Sequence, residues 1–230
     1  MWSDSLKNSL GPILEISLKV AGLSTFLVML TAIFLSWWLV HKSSWSSKLV
    51  EILIYLPMAL PPSALGYGLL LLLGPDTILG DWLSDHNLAL AGNFRGAVLA
   101  ALISSLGIGV RTVRVGLESI DQDYLEMAIS FGAKQSQIFR YISWPLLRSS
   151  LMGGAILVFI RSLGEFGATM MLAGNKLGET RTLALAIWTT MQNPDHEQEA
   201  FLLLIIAAAI SLTALVGAEL FLKLNVHRSS

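Results

Sequence analysis

The chain has 230 residues, 54% of them hydrophobic and 13% charged, with a mean hydropathy of +0.66. That balance is too apolar for an ordinary water-soluble domain and fits a multi-spanning membrane protein, read as a single domain over residues 1–230. A net charge of −1 and the absence of cysteine exclude a basic nucleic-acid surface, disulfides, thiolate metal sites and a cysteine nucleophile.

In chain order, the start Met1-Trp2-Ser3-Asp4 carries an acid and no basic region ahead of a short apolar core. No cleaved leader is therefore expected, and the first apolar segment should insert and stay. A spanning helix needs about 20 mainly apolar residues. Leu18–Val40 supplies the first, and Leu49–Leu73 the second, interrupted by Pro57 and by Pro61-Pro62. Proline inside a span removes a backbone donor and kinks the helix. Gly96–Val110 supplies the third, extended to about residue 115 by Arg111-Thr112-Val113-Arg114. Ser149–Gly174 is the fourth, with Arg161 and Glu165 inside it, and Ala200–Ala218 the fifth, reaching about residue 222. Thr182–Gln192 is apolar but too short to cross, and reads as a re-entrant or interfacial helix unless 175–198 makes an extra crossing.

Between the third and fourth spans lies a polar island, residues 119–145. Ser119 with Gln122, or Asp121 or Asp123 alone, suits a helix N-cap. Leu125, Ala128, Ile129 and Gly132 follow at helical spacing, with Gly132 where the helix would end. A second helical piece carries Ile138, Phe139 and Ile142, and Pro145 starts a new helix in its first turn. A docking element and an ordinary linker both fit this pattern.

Basic residues set orientation. With the island on one side, that side holds Lys42, Lys48, Arg111, Arg114, Lys134, Arg140, Arg148, Lys223 and Arg228. The other keeps Lys7, Lys19, Arg95, Lys176 and Arg181. This bias predicts the N-terminus outside, the island and the C-terminus in the cytoplasm.

Catalytic patterns are missing. No Gly-x-x-x-x-Gly-Lys-Ser/Thr run occurs to bind ATP, His196-Glu197 lacks a second histidine at helical spacing, and the spans hold no Ser/His or paired-aspartate set. The chain is not expected to be an enzyme, nor to need a cofactor or metal. Gly66-Tyr67-Gly68, Gly107-Ile108-Gly109 and Gly153-Gly154 sit in apolar spans, where close helix packing explains them better than phosphate binding. Arg161 and Glu165, four residues apart, share a helical face and should avoid lipid. Either they neutralise each other as a structural pair, or their face lines an aqueous pathway with Ser162 and Thr169. In that pathway the arginine would lower the barrier for an anion.

Two resemblances sharpen these readings. Glu126-Met127-Ala128, Gly132, Ile142 and Pro145 stand in the order and spacing of the "EAA" loop of bacterial ABC importer permeases. Met127 departs from the usual alanine and Trp144 from the usual leucine. Arg161-Ser162-Leu163-Gly164-Glu165-Phe166-Gly167-Ala168-Thr169 resembles the signature segment of molybdate ABC transporter permeases. Leu60-Pro61-Pro62 with Gly66-Tyr67, and Gly178-Glu179-Thr180-Arg181-Thr182, are similar to further stretches of that family.

The resemblance implies an all-α membrane protein of the type I ABC importer permease kind. It would have five transmembrane helices, a short re-entrant helix and a cytoplasmic coupling helix. It implies residence in a bacterial or archaeal plasma (inner) membrane, a second permease copy, two ABC ATPase subunits and a periplasmic or extracellular oxyanion-binding protein. Glu126, Met127, Ala128, Gly132, Ile142 and Pro145 would then couple to the ATPase, and Arg161, Ser162, Glu165 and Thr169 would line the pathway for molybdate. Alternatives are a sulfate or tungstate permease of the same architecture, or a proton-coupled secondary carrier with Glu165 as its protonation site.

Overall fold

A computed structural model describes residues 4–42 and 44–226; Arg228, counted above, lies outside them. Every regular element among the described residues is helical. The first half holds α1 (Asp4–His41), α2 (Trp45–Ala59), α3 (Pro62–Leu73), α4 (Ile78–Asp85) and α5 (Phe94–Glu118). After it come α6 (Gln122–Ser130), α7 (Gln135–Ile138), α8 (Trp144–Leu163), α9 (Gly167–Ala173), α10 (Leu183–Met191) and α11 (Glu197–Val226). Among the described residues, four stretches, Asn8–His41, Phe94–Glu118, Ser136–Leu163 and Pro194–Gly217, are long and apolar enough to cross a membrane. The α2–α3 pair makes a fifth if it counts as one span bent by 119°.

Small residues explain why α5 is the hub. Ala97, Ala100, Ala101, Ser104, Ser105, Gly107 and Gly109 are buried along it, so neighbouring helices approach its backbone closely. A Cβ on Gly107 would stand 2.4 Å from Met58 Sδ of α2, and one on Gly109 2.6 Å from Val28 Cγ1 of α1. On Gly116 it would stand 2.4 Å from Ser150 Cβ of α8. Ser36 Oγ of α1 donates to the Val110 carbonyl at 2.9 Å and fixes the helices in register. Of the glycines expected to pack, Gly66, Gly107, Gly109 and Gly154 meet neighbours, while Gly68 and Gly153 face open space.

Prolines shape the second span. Pro57 lies inside α2, and Leu60 and Pro61 are extended ahead of Pro62, which begins α3. The result is a corner, not a kinked rod.

Four other features depart from the expectations. The fourth span does not run unbroken from Ser149 to Gly174: α8 stops at Leu163, and Glu165 turns its carboxylate onto the first turn of α9. A side chain that caps the next helix competes with continuing the previous one. Pro145 falls in the first turn of α8 as expected, but no break separates that helix from the piece before it. A π-helical turn, Phe139–Ser143, carries the backbone straight into α8. The wider turn suits a proline that has no N–H to give. The short helix after residue 182 forms as α10, but the cap of its first residue comes from elsewhere: the Leu183 N–H is taken by Ser17 Oγ of α1 at 2.7 Å. Finally α4, with Thr77 Oγ1 accepting the Gly80 N–H at 2.9 Å, forms between the second and third spans, where no helix is expected.

Candidate functional site

Two places hold the residues singled out above. The first is α6 and its exit. Asp121 caps the helix, accepting the Asp123 N–H at 3.0 Å, whereas Ser119 Oγ turns back to the Gly116 carbonyl. Gly132 has φ of +81°, its N–H reaches the Ile129 carbonyl at 2.8 Å, and Ala133 N–H reaches the Ala128 carbonyl at 3.0 Å. This pair of bonds is the Schellman ending, which needs a left-handed residue after the C-cap. Nothing lies within 4 Å of where a Cβ on Gly132 would be, so its requirement is conformational, not spatial.

Once the chain has turned there, Met127 and Ala128 face Ile142 and Pro145 across a shallow hollow of about 480 Å³. A neighbouring hollow of about 380 Å³ adds Gly132, Ala133 and Gln137. Phe131 and Tyr141 line both and stand 86% and 71% exposed. Large aromatic side chains left in the open mark contact surfaces, whether for protein, ligand or membrane. Neither had been singled out from the sequence. The available signal was an aromatic residue just ahead of Gly132 and another just ahead of Ile142. Glu126 is separated from this group and lines a larger apolar cavity of about 980 Å³ on the other side of α6, toward Trp37, Phe139 and Trp144.

The second place is the junction of α8 and α9. Glu165 is 1% exposed; its Oε1 accepts the Ala168 N–H at 2.9 Å, and its Oε2 meets Arg161 Nη1 at 2.7 Å as an ion pair. That contact lacks the alignment of a hydrogen bond, so charge attraction and not direction holds it. A buried carboxylate with two such partners is compensated. Arg161, one-third exposed, is the only one of the four expected pathway residues that reaches the surface of the chain.

The other three are buried within the chain. Ser162 Oγ lies 3.2 Å from Ser105 Oγ of α5. Thr169 Oγ1 is buried without a hydrogen-bond partner. The break after Leu163 turns this face of the segment inward, against α3 and α5. There the segments Leu60–Tyr67 and Arg161–Thr169 meet: a Cβ on Gly66 would stand 2.6 Å from Ala168 Cα, and one on Gly167 would stand 2.8 Å from Ser63 N. The third segment of this resemblance, Gly178–Thr182, forms a turn. In it Gly178 has φ of +81°, Thr180 Oγ1 accepts the Lys176 N–H at 2.9 Å, and Arg181 Nε donates to Asn175 Oδ1 at 2.8 Å.

Residues 26–228 match the family described as the binding-protein-dependent transport system inner membrane component. The chain is 36% identical over 215 residues to the molybdenum transport system permease protein ModB of Escherichia coli (strain K12), covering 93% of this chain and 94% of that one. It is 35% identical over 207 residues to the protein of the same name from Haemophilus influenzae, covering 90% of each. Among solved structures, a chain of the MetNI methionine ABC transporter in inward-facing conformations superposes with a TM-score of 0.75 at 13% identity, covering 97% of this chain and 99% of that one. A bacterial ABC transporter for import of the acidic polysaccharide alginate gives 0.74 at 18% identity, covering 96% and 79%. At such identities the two structures speak for the fold alone.

Proposed function

The chain belongs to the family of binding-protein-dependent transport system inner membrane components, and from that premise we propose that it is the permease of an ATP-driven importer of molybdate. The substrate rests on the near-full-length likeness to molybdenum transport permeases. The importer reading rests on one observation, the exposed hollow of Met127, Ala128, Phe131, Tyr141, Ile142 and Pro145.

In this reading α6 is the coupling helix, seated in a cleft of a separate ATPase, with Gly132 fixing its exit. Five crossings, counting α2 and α3 as one, leave the termini on opposite faces, and the bias of basic residues favours the N-terminus outside and the C-terminus in the cytoplasm. A second copy of the chain completes one pathway, two ATPases sit beneath it, and a binding protein delivers the oxyanion from outside. Arg161 faces the pathway. Its planar guanidinium suits paired oxygens of an oxyanion, and Glu165 limits how tightly it holds, as passage requires. Ser162, Glu165 and Thr169 stand behind it as support. ATP acts by favouring one of two arrangements of the spans, transmitted through α6. The two partners holding Glu165 disfavour its use as the free protonation site of a proton-coupled carrier.

Reconstitution with the cognate ATPase and binding protein tests this. Molybdate uptake should require ATP and the ATPase, resist a protonophore, and be competed by tungstate and not by sulfate. Uptake without the ATPase would sink the importer reading; equal competition by sulfate would make the substrate sulfate.

A further inference from the structure

At the end of α5 nearest α6, Arg114 holds two carboxylates. Its Nη1 meets Glu51 of α2 at 2.6 Å, and its Nε donates to Glu118 at 2.7 Å. Ser119, Ile120 and Asp121 are all that separates Glu118 from α6, and Ile120 is buried, so the end of α5 and the start of α6 share a short anchored joint. Beyond this fork, which Tyr55 of α2 also approaches, α2 meets α5 through apolar contacts: Ile54 with Val110 and Val113, and Met58 over Gly107. Apolar contact is non-directional and allows sliding. The guanidinium fork is directional, and it ties α2 to one position along α5.

At its other end α2 turns the 119° corner into α3, whose Pro62 and Gly66 abut Gly167 and Ala168 of α9. Ala168 gives its N–H to Glu165, the counter-ion of Arg161. Contacts therefore run unbroken from α6 to Arg161, and between α5 and α2 the charged link is the one that sets position.

We propose that the Arg114–Glu51 ion pair is the positioning contact that makes α2 follow the end of α5, so that motion imposed on α6 reaches Arg161 through α3 and α9. The proposal rests on α6 being the segment gripped by the ATPase. Both side chains are partly exposed, so the pair adds little to folding stability. Its loss should appear in coupling, with the fold intact.

The test uses the complete transporter in liposomes, measuring ATP hydrolysed and molybdate accumulated in the same preparation. Glu51→Gln should assemble in parental yield and hydrolyse ATP near the parental rate, while molybdate moved per ATP falls about five-fold or more. Glu118→Gln, which leaves the α2 link intact, should keep the parental ratio. Reversing the pair, with Glu51→Arg and Arg114→Glu in the Glu118→Gln background to avoid a new repulsion, should recover most of the ratio. An unchanged ratio in Glu51→Gln overturns the proposal. So does failed assembly, or equal loss of both activities, either of which would make the pair a folding staple. So does a reversed pair that recovers nothing. A photo-cross-linker at residue 127 separates the two readings. If it captures the ATPase while Glu51→Gln behaves as the parent, only this inference falls; if it captures none, the coupling-helix reading falls too.

Discussion

Gly66 and Ala168 meet backbone to backbone: a Cβ on residue 66 would stand 2.6 Å from the Cα of Ala168 and 2.8 Å from its carbonyl oxygen. Two segments about 100 residues apart in sequence thus share one seam, next to the Arg161–Glu165 pair.

Gly66→Ala should therefore part α3 from α9, costing about 1–3 kcal/mol, as overpacking does. A lower melting temperature of the purified transporter and slower molybdate uptake would register it. Gly68→Ala, two residues on and facing open space, is the matched control and should be silent in both measurements. Equal behaviour of the two variants would refute the seam.

Arg161→Ala alone would leave Glu165 buried without its charge partner, so lost uptake there would mix instability with a pathway effect. The double variant Arg161→Ala/Glu165→Gln removes both charges, and its amide oxygen can still accept the Ala168 N–H. We expect it to assemble with uptake slowed about tenfold at saturating molybdate, equivalent to a barrier raised by about 1.4 kcal/mol. Parental uptake by this variant would return Arg161 to a purely structural role.

Gly132 sits at φ +81° with free space around it. Gly132→Asn should be tolerated, because asparagine adopts this conformation, whereas Gly132→Val should cost about 1–2 kcal/mol and distort the exit of α6. The measurement is co-purification with the ATPase together with uptake. If Gly132→Val matches Gly132→Asn in both, the left-handed turn is not what the site requires.

Phe131 and Tyr141 should be the energetic centre of the ATPase contact. Phe131→Ala or Tyr141→Ala should weaken assembly by about 2 kcal/mol, near 30-fold in affinity, with helix content unchanged. Binding of the ATPase to the permease in detergent reads this directly, and affinities equal to the parent would move the contact elsewhere.

What was legible in the sequence was local. The all-helical fold follows from long apolar runs, and the end of α6 from Gly132, because caps and turns depend on residues within one helical turn. Pro57 and Pro61-Pro62 announced an interruption of the second span but not its 119° angle, which depends on what α3 packs against. Met127, Ala128, Ile142 and Pro145 stood out through the resemblance to the "EAA" loop, while Phe131 and Tyr141 needed the hollow that brings the two sides of the loop together.

The sequence by itself determined that this chain crosses a membrane repeatedly, ends its polar helix at a glycine and holds an arginine and a glutamate within reach of each other. Tertiary structure alone decided that Ser17 of α1 caps α10, and that Arg161 reaches the surface while Ser162 and Thr169 do not. The physical reason is that periodicity and capping chemistry act over a few residues. The close approaches at Gly66 and Gly107 are settled by atoms from distant helices competing for the same space.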